Sequence, residues 1–182
     1  MTTIAGIRMN AADVTAVSTA VPIDAQAEVL RLFGEHGTQL FRFCRSTLGN
    51  ATDAEDVVQE TFLKLLRHLQ SGDDRSNLKS WLFTVAANGC RDRVRWRLRW
   101  LPWRAELDDR TVDPIADSQD ETRRARKAFR ALASRDRLLL SLRAQGLSYK
   151  EIATAARLRE QSVGRLLARA LDRWKKATGG QG

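Results

Sequence analysis

The segment LSYKEIATAARLREQSVGRLLARALDRWKK, residues 147–176, sets the reading of the whole chain. Ser148 and Glu151 stand in the S-x-x-E spacing of a capping box, in which each side chain satisfies a backbone N–H of the other. They open a short helix through about Ala156, with Ile152 and Ala153 inward. Arg157, Leu158 and Arg159 make a turn without glycine. In the next stretch Val163, Leu166, Leu167, Ala170, Leu171 and Trp174 recur at helical spacing and face inward, while Arg165, Ala168, Arg169, Asp172 and Arg173 face outward. Two helices joined by so short a turn read as a helix-turn-helix. That geometry lays the second helix in a major groove, with its N-terminal outward side chains at base edges. Arg165 and Arg169 lie one turn apart on that face, and an arginine fork suits the O6 and N7 acceptors of guanine. Arg173, Lys175 and Lys176 lie further along and suit phosphates. A purely structural helical hairpin has the same pattern, so this segment alone leaves both readings open.

Charge points the same way. The 182-residue chain carries a net +9, unevenly spread. Residues 122–182 hold 16 Lys and Arg against 4 Asp and Glu, a balance of +12; residues 1–121 hold 15 against 18, a balance of −3. A strongly basic half is the electrostatic footprint of a polyanion, nucleic acid being the usual one. Apolar residues make up 43% and charged residues 29%, enough for a core and a solvated surface. The length suits one ordinary domain or two small ones. No apolar run is long enough for a membrane span, and the N-terminus lacks a signal-peptide pattern, so a cytoplasmic protein without membrane insertion is expected. Cys44 and Cys90 form no C-x-x-C pair and read as buried thiols of a reducing compartment. His36 and His68 have no ligand set at metal spacing.

Upstream, apolar spacing predicts further helices. Asp24 caps a first one, with Leu30, Phe33, Leu40, Phe41, Cys44 and Leu48 on one face and Gly49-Asn50 at its end. Thr52 and Glu55 form a T-x-x-E capping box for a second, with Val58, Phe62, Leu65, Leu66 and Leu69 buried. The polar loop SGDDRSN, residues 71–77, leads to a third that begins near Leu78, with Leu78, Trp81, Leu82 and Val85 inward. RDRVRWRLRW, residues 91–100, alternates like a strand, but Arg91, Arg95 and Arg99 share one helical face and Val94 and Leu98 another, so the third helix continues until Pro102 stops it. Residues 101–121 carry two prolines and seven acids, the composition of an extended linker. A helix from Thr122 carries Phe129 and Leu132; Ser134 caps the next, with Leu138, Leu139 and Leu142 apolar and Gly146 at its end. The expected fold is all-α: two small helical domains, 24–100 and 122–178, joined by a flexible acidic linker at 101–121, with tails at 1–23 and 179–182.

Two more clusters carry chemistry. In TDAEDVVQETFLKLL, residues 52–66, Asp53, Asp56 and Glu60 share one exposed face with Gln59 beside them. Acids matched to the helix dipole account for Asp53, Glu55 and Asp56, but Gln59 and Glu60 lie beyond the first turn. An acidic face on a DNA-binding chain suits a basic protein partner. In NLKSWLFTVAANGCRDRVRWR, residues 77–97, Trp81, Phe83 and Trp96 interleave with arginines and Asn88. Rings that stack on bases and charges that track the backbone suit single-stranded nucleic acid. For Trp81 and Phe83, plain core packing is the competing reading.

In this order and spacing, DAEDVVQETFLKLL, SWLFTVAANGCRDRVRWR and LSYKEIATAARLREQSVGRLLARALDRWKK resemble the extracytoplasmic-function sigma factors of the sigma-70 family, over roughly residues 24–178. The resemblance implies a transcription initiation factor that brings core RNA polymerase to promoters. By position it implies that Asp53, Asp56, Gln59 and Glu60 bind polymerase at the beta-prime clamp helices. The loop 71–77, Trp81 and Asn88 would hold the −10 element, with Arg91 and Arg95 on its backbone. Gln161, Ser162, Arg165, Arg169, Arg173 and Lys176 would meet the −35 element. The beta flap, promoter DNA and an anti-sigma factor are the further partners implied. Gly164 stands where the family often has a basic residue, and SGDDRSN is less like the family than the helices around it. The remaining alternative is a helix-turn-helix regulator that works without polymerase. No convergent nucleophile and base, no phosphate-cradling glycine loop and no metal spacing occur, so neither an enzyme nor a cofactor is expected.

Overall fold

The computed structural model describes residues 2–4, 7–9, 23–100 and 120–179. Seven helices carry nearly all of these: α1 (Ile23–Leu48), α2 (Ala51–Gln70), α3 (Leu78–Trp100), α4 (Asp120–Ala131), α5 (Ser134–Ala144), α6 (Tyr149–Ala156) and α7 (Glu160–Gly179). The expected linker lies outside the described residues except for its last two, which belong to α4. The N-terminal stretch departs from its reading as a plain tail. Strands β1 (Thr2–Ile4) and β2 (Ile7–Met9) pair antiparallel, Ile4 opposite Ile7. Two residues separate them in sequence, the spacing of a tight hairpin. The arginine-rich segment is helical, as its four-residue recurrence requires.

Helix ends follow local chemistry, not always at the expected residue. Gly49, at φ 76°, terminates α1, its N–H donating to the Arg45 carbonyl at 2.8 Å. Asn50 then caps α2, its side chain accepting from the Asp53 N–H at 2.9 Å, so the expected Thr52–Glu55 box does not form the cap. Thr52 is already the second helical residue. Asp24 likewise lies inside the first turn of α1, and Ser134 is the first residue of α5, whose cap is Ala133. The Ser148–Glu151 box on α6 is present in full.

Helices α1–α3 bury Phe33 edge-on against Phe62, centroids 5.1 Å apart, and Phe43 against Phe83 at 5.4 Å. Phe83 is therefore core and unavailable to a nucleotide base. Leu30, expected inward, is 41% exposed: Val29 takes the inward position, and one residue turns a helix by about 100°. Val85 is only half-buried. Cys44 and Cys90 are buried face to face between α1 and α3, and burial pushes the Cys44 thiol up. In the second group, α7 packs across α4, α5 and α6. Trp174 donates its indole N–H to the Ala125 carbonyl at 3.0 Å. Leu171, expected inward, sits at the edge of this packing, 37% exposed. The two groups touch: α5 packs on α1 and α6 on α3, and one apolar cluster runs from Ala25 through to Leu167.

Candidate nucleic-acid interface

The helix-turn-helix forms as its sequence predicts. In α6 the Ser148 hydroxyl accepts from the Glu151 N–H, and the Glu151 carboxylate accepts from the Ser148 N–H at 2.7 Å. Those bonds hold the Glu151 carboxyl below its ordinary value. Arg157 ends the helix in the left-handed region, φ 53°, where glycine is usual. The Leu158 N–H donates back to the Ala153 carbonyl at 2.8 Å, closing the turn. Ile152, Val163 and Leu167 are buried, which fixes the rotation of α7. Gln161, Arg165 and Arg169 are thereby exposed, and Ser162 is half-buried. Arg173 and Lys176 are exposed but engaged: Arg173 pairs with the buried Asp136 at 2.6 Å, and Lys176 pairs with Asp172 at 3.1 Å.

On α2, Asp56, Gln59 and Glu60 share an exposed face. Asp53 does not join them. Its side chain is 19% exposed and turned to α3, where Arg97 donates to it and Arg93 lies 3.6 Å away. Arg93 also donates to Asp56 at 2.9 Å. The arginines of α3 thus clamp it to the start of α2.

On α3, Arg95 and Trp96 are exposed. Trp81 is half-buried and stacks on His68, ring centroids 4.6 Å apart. Asn88 accepts from Arg91 at 2.8 Å. Arg91 also donates to the carbonyl of Ala155, near the end of α6. Burial, then the nearby Arg157 charge, lower its affinity for its proton. Asn77 ends the loop assigned to the −10 element, but its capping role is not part of that expectation. Its side chain caps α3 through the Ser80 N–H at 3.0 Å and donates to Glu151 at 2.8 Å. The available signal was an asparagine directly before the apolar run at Leu78.

Among the described residues no cluster of His, Cys, Asp and Glu is placed to hold a metal ion, and no helix is long and apolar enough to cross a membrane.

Known proteins share this arrangement. The family Sigma-70 region 2 matches residues 32–99, which span most of α1–α3. ECF RNA polymerase sigma factor SigM of Mycobacterium tuberculosis is 31% identical over 153 residues, 82% of this chain and 76% of that protein. This chain is an extracytoplasmic-function sigma factor. SigL of the same organism is 42% identical over 73 residues, a match spanning 39% of this sigma factor and only 41% of SigL. Among solved structures, the sigma factor RpoE in complex with the anti-sigma factor NepR from Bartonella quintana superposes with a TM-score of 0.66 at 25% identity, covering 87% of this chain and 99% of that one. CnrH in complex with the cytosolic domain of CnrY shares the fold, with a TM-score of 0.60 at 22% identity over 94% of this chain and 96% of that one.

Proposed function

We propose that this sigma factor binds core RNA polymerase, selects promoters through their −35 and −10 elements and promotes DNA melting, performing no chemistry itself. The observation that carries this is the placement on one chain of three surfaces of different character: the acidic face of α2, the Arg95–Trp96 surface of α3 and the arginine face of α7. In this reading residues 24–100 and 122–178 act as two domains, the first on polymerase and the −10 element, the second on the −35 element. Asp56, Gln59 and Glu60 meet the beta-prime clamp helices. Asp53 contributes indirectly, by holding α2 against α3. Phe129, Leu140, Leu167, Leu171 and Trp174 line a hollow of about 550 Å³ that suits an apolar segment of the beta flap. An anti-sigma factor is a further partner, as for the RpoE relative solved with NepR. The site of action is the cytoplasm.

The test is co-purification with core enzyme followed by run-off transcription on genomic fragments. Core-dependent transcripts are expected. Site-specific duplex binding without core, and no transcripts with it, would favour a free-standing helix-turn-helix regulator instead. Charge reversal at Asp56 and Glu60 with Gln59→Lys should abolish core binding and leave the helical circular dichroism intact. Exposed ion pairs such as Asp56–Arg93 contribute only about 0–1 kcal/mol to the fold. Unchanged core binding by the folded triple variant would refute the docking face.

A further inference from the structure

We infer that His68 is a positioning residue for −10 recognition: its ring ties the middle of loop 71–77 to Trp81 and so sets the shape in which that loop meets the melted strand. The inference rests on the sigma-factor reading above. SGDDRSN contains no apolar side chain and all of its residues are exposed, so no core packing shapes it. Its conformation is left to polar contacts. Arg75 fastens it to the end of α2, donating to the Leu69 carbonyl at 2.9 Å, and Asn77 fastens it to the start of α3. His68 takes hold of the middle. Its Nε2 lies 2.9 Å from the Asp74 carbonyl oxygen. A carbonyl only accepts, so Nε2 carries the proton of that bond. Nδ1 lies 3.3 Å from the Asp73 carboxylate. Ser76 grips the other end of Asp74, its N–H and hydroxyl donating to the carboxylate at 2.8 and 2.9 Å.

The same ring reaches the other part of the surface assigned to the −10 strand. It stacks on Trp81 with the planes 25° apart, which covers one face of the indole. His68 lies in the last turn of α2 and Trp81 in the first turn of α3, so one imidazole joins both helices and the loop between them. The His68 side chain is only 13% exposed. It therefore acts from beneath, through Asp73, Asp74 and Trp81, and not on a nucleotide directly. Releasing the loop would change which base the loop prefers, while polymerase docking on α2 and the arginine face of α7 stay as they are.

Two substitutions in the full chain separate the contacts of the ring. His68→Phe keeps an aromatic ring on Trp81 and removes both N–H donors; His68→Gln keeps an amide donor and removes the ring. Each variant is assembled with core RNA polymerase. Heparin-resistant open complexes are measured on a promoter selected with the parent holoenzyme and on a panel of its single-base −10 variants. His68→Phe is expected to lower the ratio of preferred to altered promoter about two- to tenfold, the worth of one hydrogen bond, and His68→Gln to retain more of it. Core binding, helical circular dichroism and affinity for the −35 duplex should match the parent in both. An unchanged ratio for His68→Phe, or equal losses in the two variants, overturns the assignment. A loss uniform across the panel, or one that comes with weaker core binding or a less stable fold, shows a merely structural role and overturns it as well. Nitrogen-15 spectroscopy of the unsubstituted chain gives a reading independent of any variant, and the sequence has only two histidines to assign. A protonated Nε2 on His68 is expected; a bare Nε2 overturns the bond to Asp74. Failure of the sigma-factor reading itself is distinguishable, because the unsubstituted chain would then give no core-dependent open complexes on any template.

Discussion

A Cβ built on Gly164 would lie 3.3 Å from Cε2 of Tyr149, so the aromatic ring of α6 fills the space a side chain on α7 would take. Tyr149 is 46% exposed, and its ring lies under the Arg143 guanidinium at 5.6 Å from the centroid. Gly164 is thus a packing choice as well as a conformational one. Alanine is favoured over glycine inside a helix by up to about 1 kcal/mol. Here that gain is offset by the need to move the ring by a few tenths of an ångström. Gly164→Ala is expected to change unfolding free energy by less than about 1 kcal/mol, whereas Gly164→Ala combined with Tyr149→Ala should show more of the helix gain. Urea unfolding of the two variants and of Tyr149→Ala checks this; additive effects would mean that the ring and position 164 do not interact.

Arg173 separates two roles that its sequence position conflates. Outward placement near the end of α7 reads as a phosphate contact, yet the guanidinium is bound to Asp136, whose side chain is only 9% exposed. Removing a partner from a buried carboxylate leaves that charge unsatisfied, at a cost of about 1–3 kcal/mol. Arg173 itself is 59% exposed, so solvent screens part of that and the low end applies. Arg173→Ala should therefore destabilise the helix-turn-helix half and barely change the salt slope of DNA binding. Lys176→Ala, which breaks only an exposed pair, should leave stability alone and lower the slope by roughly one unit. A one-unit fall for Arg173→Ala without loss of stability would restore the phosphate reading.

What the sequence revealed and what it hid divide along a physical line. Helices announce themselves because each buries one face, so the 3.6-residue period of Val58, Phe62, Leu65 and Leu69 is written locally. The Ser148–Glu151 box is legible for the same reason, since both partners lie within one turn. The acids of α2 were legible as residues but not as partners: Asp53 is drawn off the exposed face by Arg97, 44 positions away. Arg91 was read as a backbone contact, while the carbonyl it meets lies 64 positions on. Phe83 and Trp81 fit either core or stacking by period alone, and only the position of Phe43 decides for Phe83. Asn50 took the cap from Thr52 because helix ends depend on where the previous chain reversal finishes, here at Gly49.

Acid should act on α6 in a definite direction. The bonds from Ser148 hold Glu151 below its ordinary 4.5. A carboxyl lowered in the folded state stabilises the fold above its unfolded value and loses that contribution as pH falls through the folded one. The helix-turn-helix half should therefore weaken as pH drops below about 4.5. Ser148→Ala removes the cap, costing about 1 kcal/mol at neutral pH. It also removes the side-chain cause of the shift, so the variant should lose less on acidification than the parent. Urea midpoints at neutral pH and near pH 4 decide it; parallel losses in the two proteins would show that Glu151 is not the group that titrates.

The reading face makes the sharpest claim. Arg165 and Arg169 are exposed one turn apart, while Val163, Leu167 and Ala170 are buried, so the rotation of α7 is fixed by its core and not by the arginines themselves. In a major groove these two guanidiniums reach base edges, and a bidentate arginine–guanine pair contributes about 1–3 kcal/mol of discrimination. Arg165→Ala and Arg169→Ala should each lose that much on the preferred −35 duplex and less on duplexes changed at one base pair, a different pair for each arginine. Since neither arginine supports the buried core, thermal stability should move little. The measurement is affinity of both variants against a panel of single-base −35 duplexes, selected first with the parent holoenzyme and compared at one ionic strength, because phosphate contacts make binding steeply salt-dependent. Uniform loss across the panel would make both residues phosphate clamps, and sequence reading would then fall to Gln161 and Ser162 at the start of the helix.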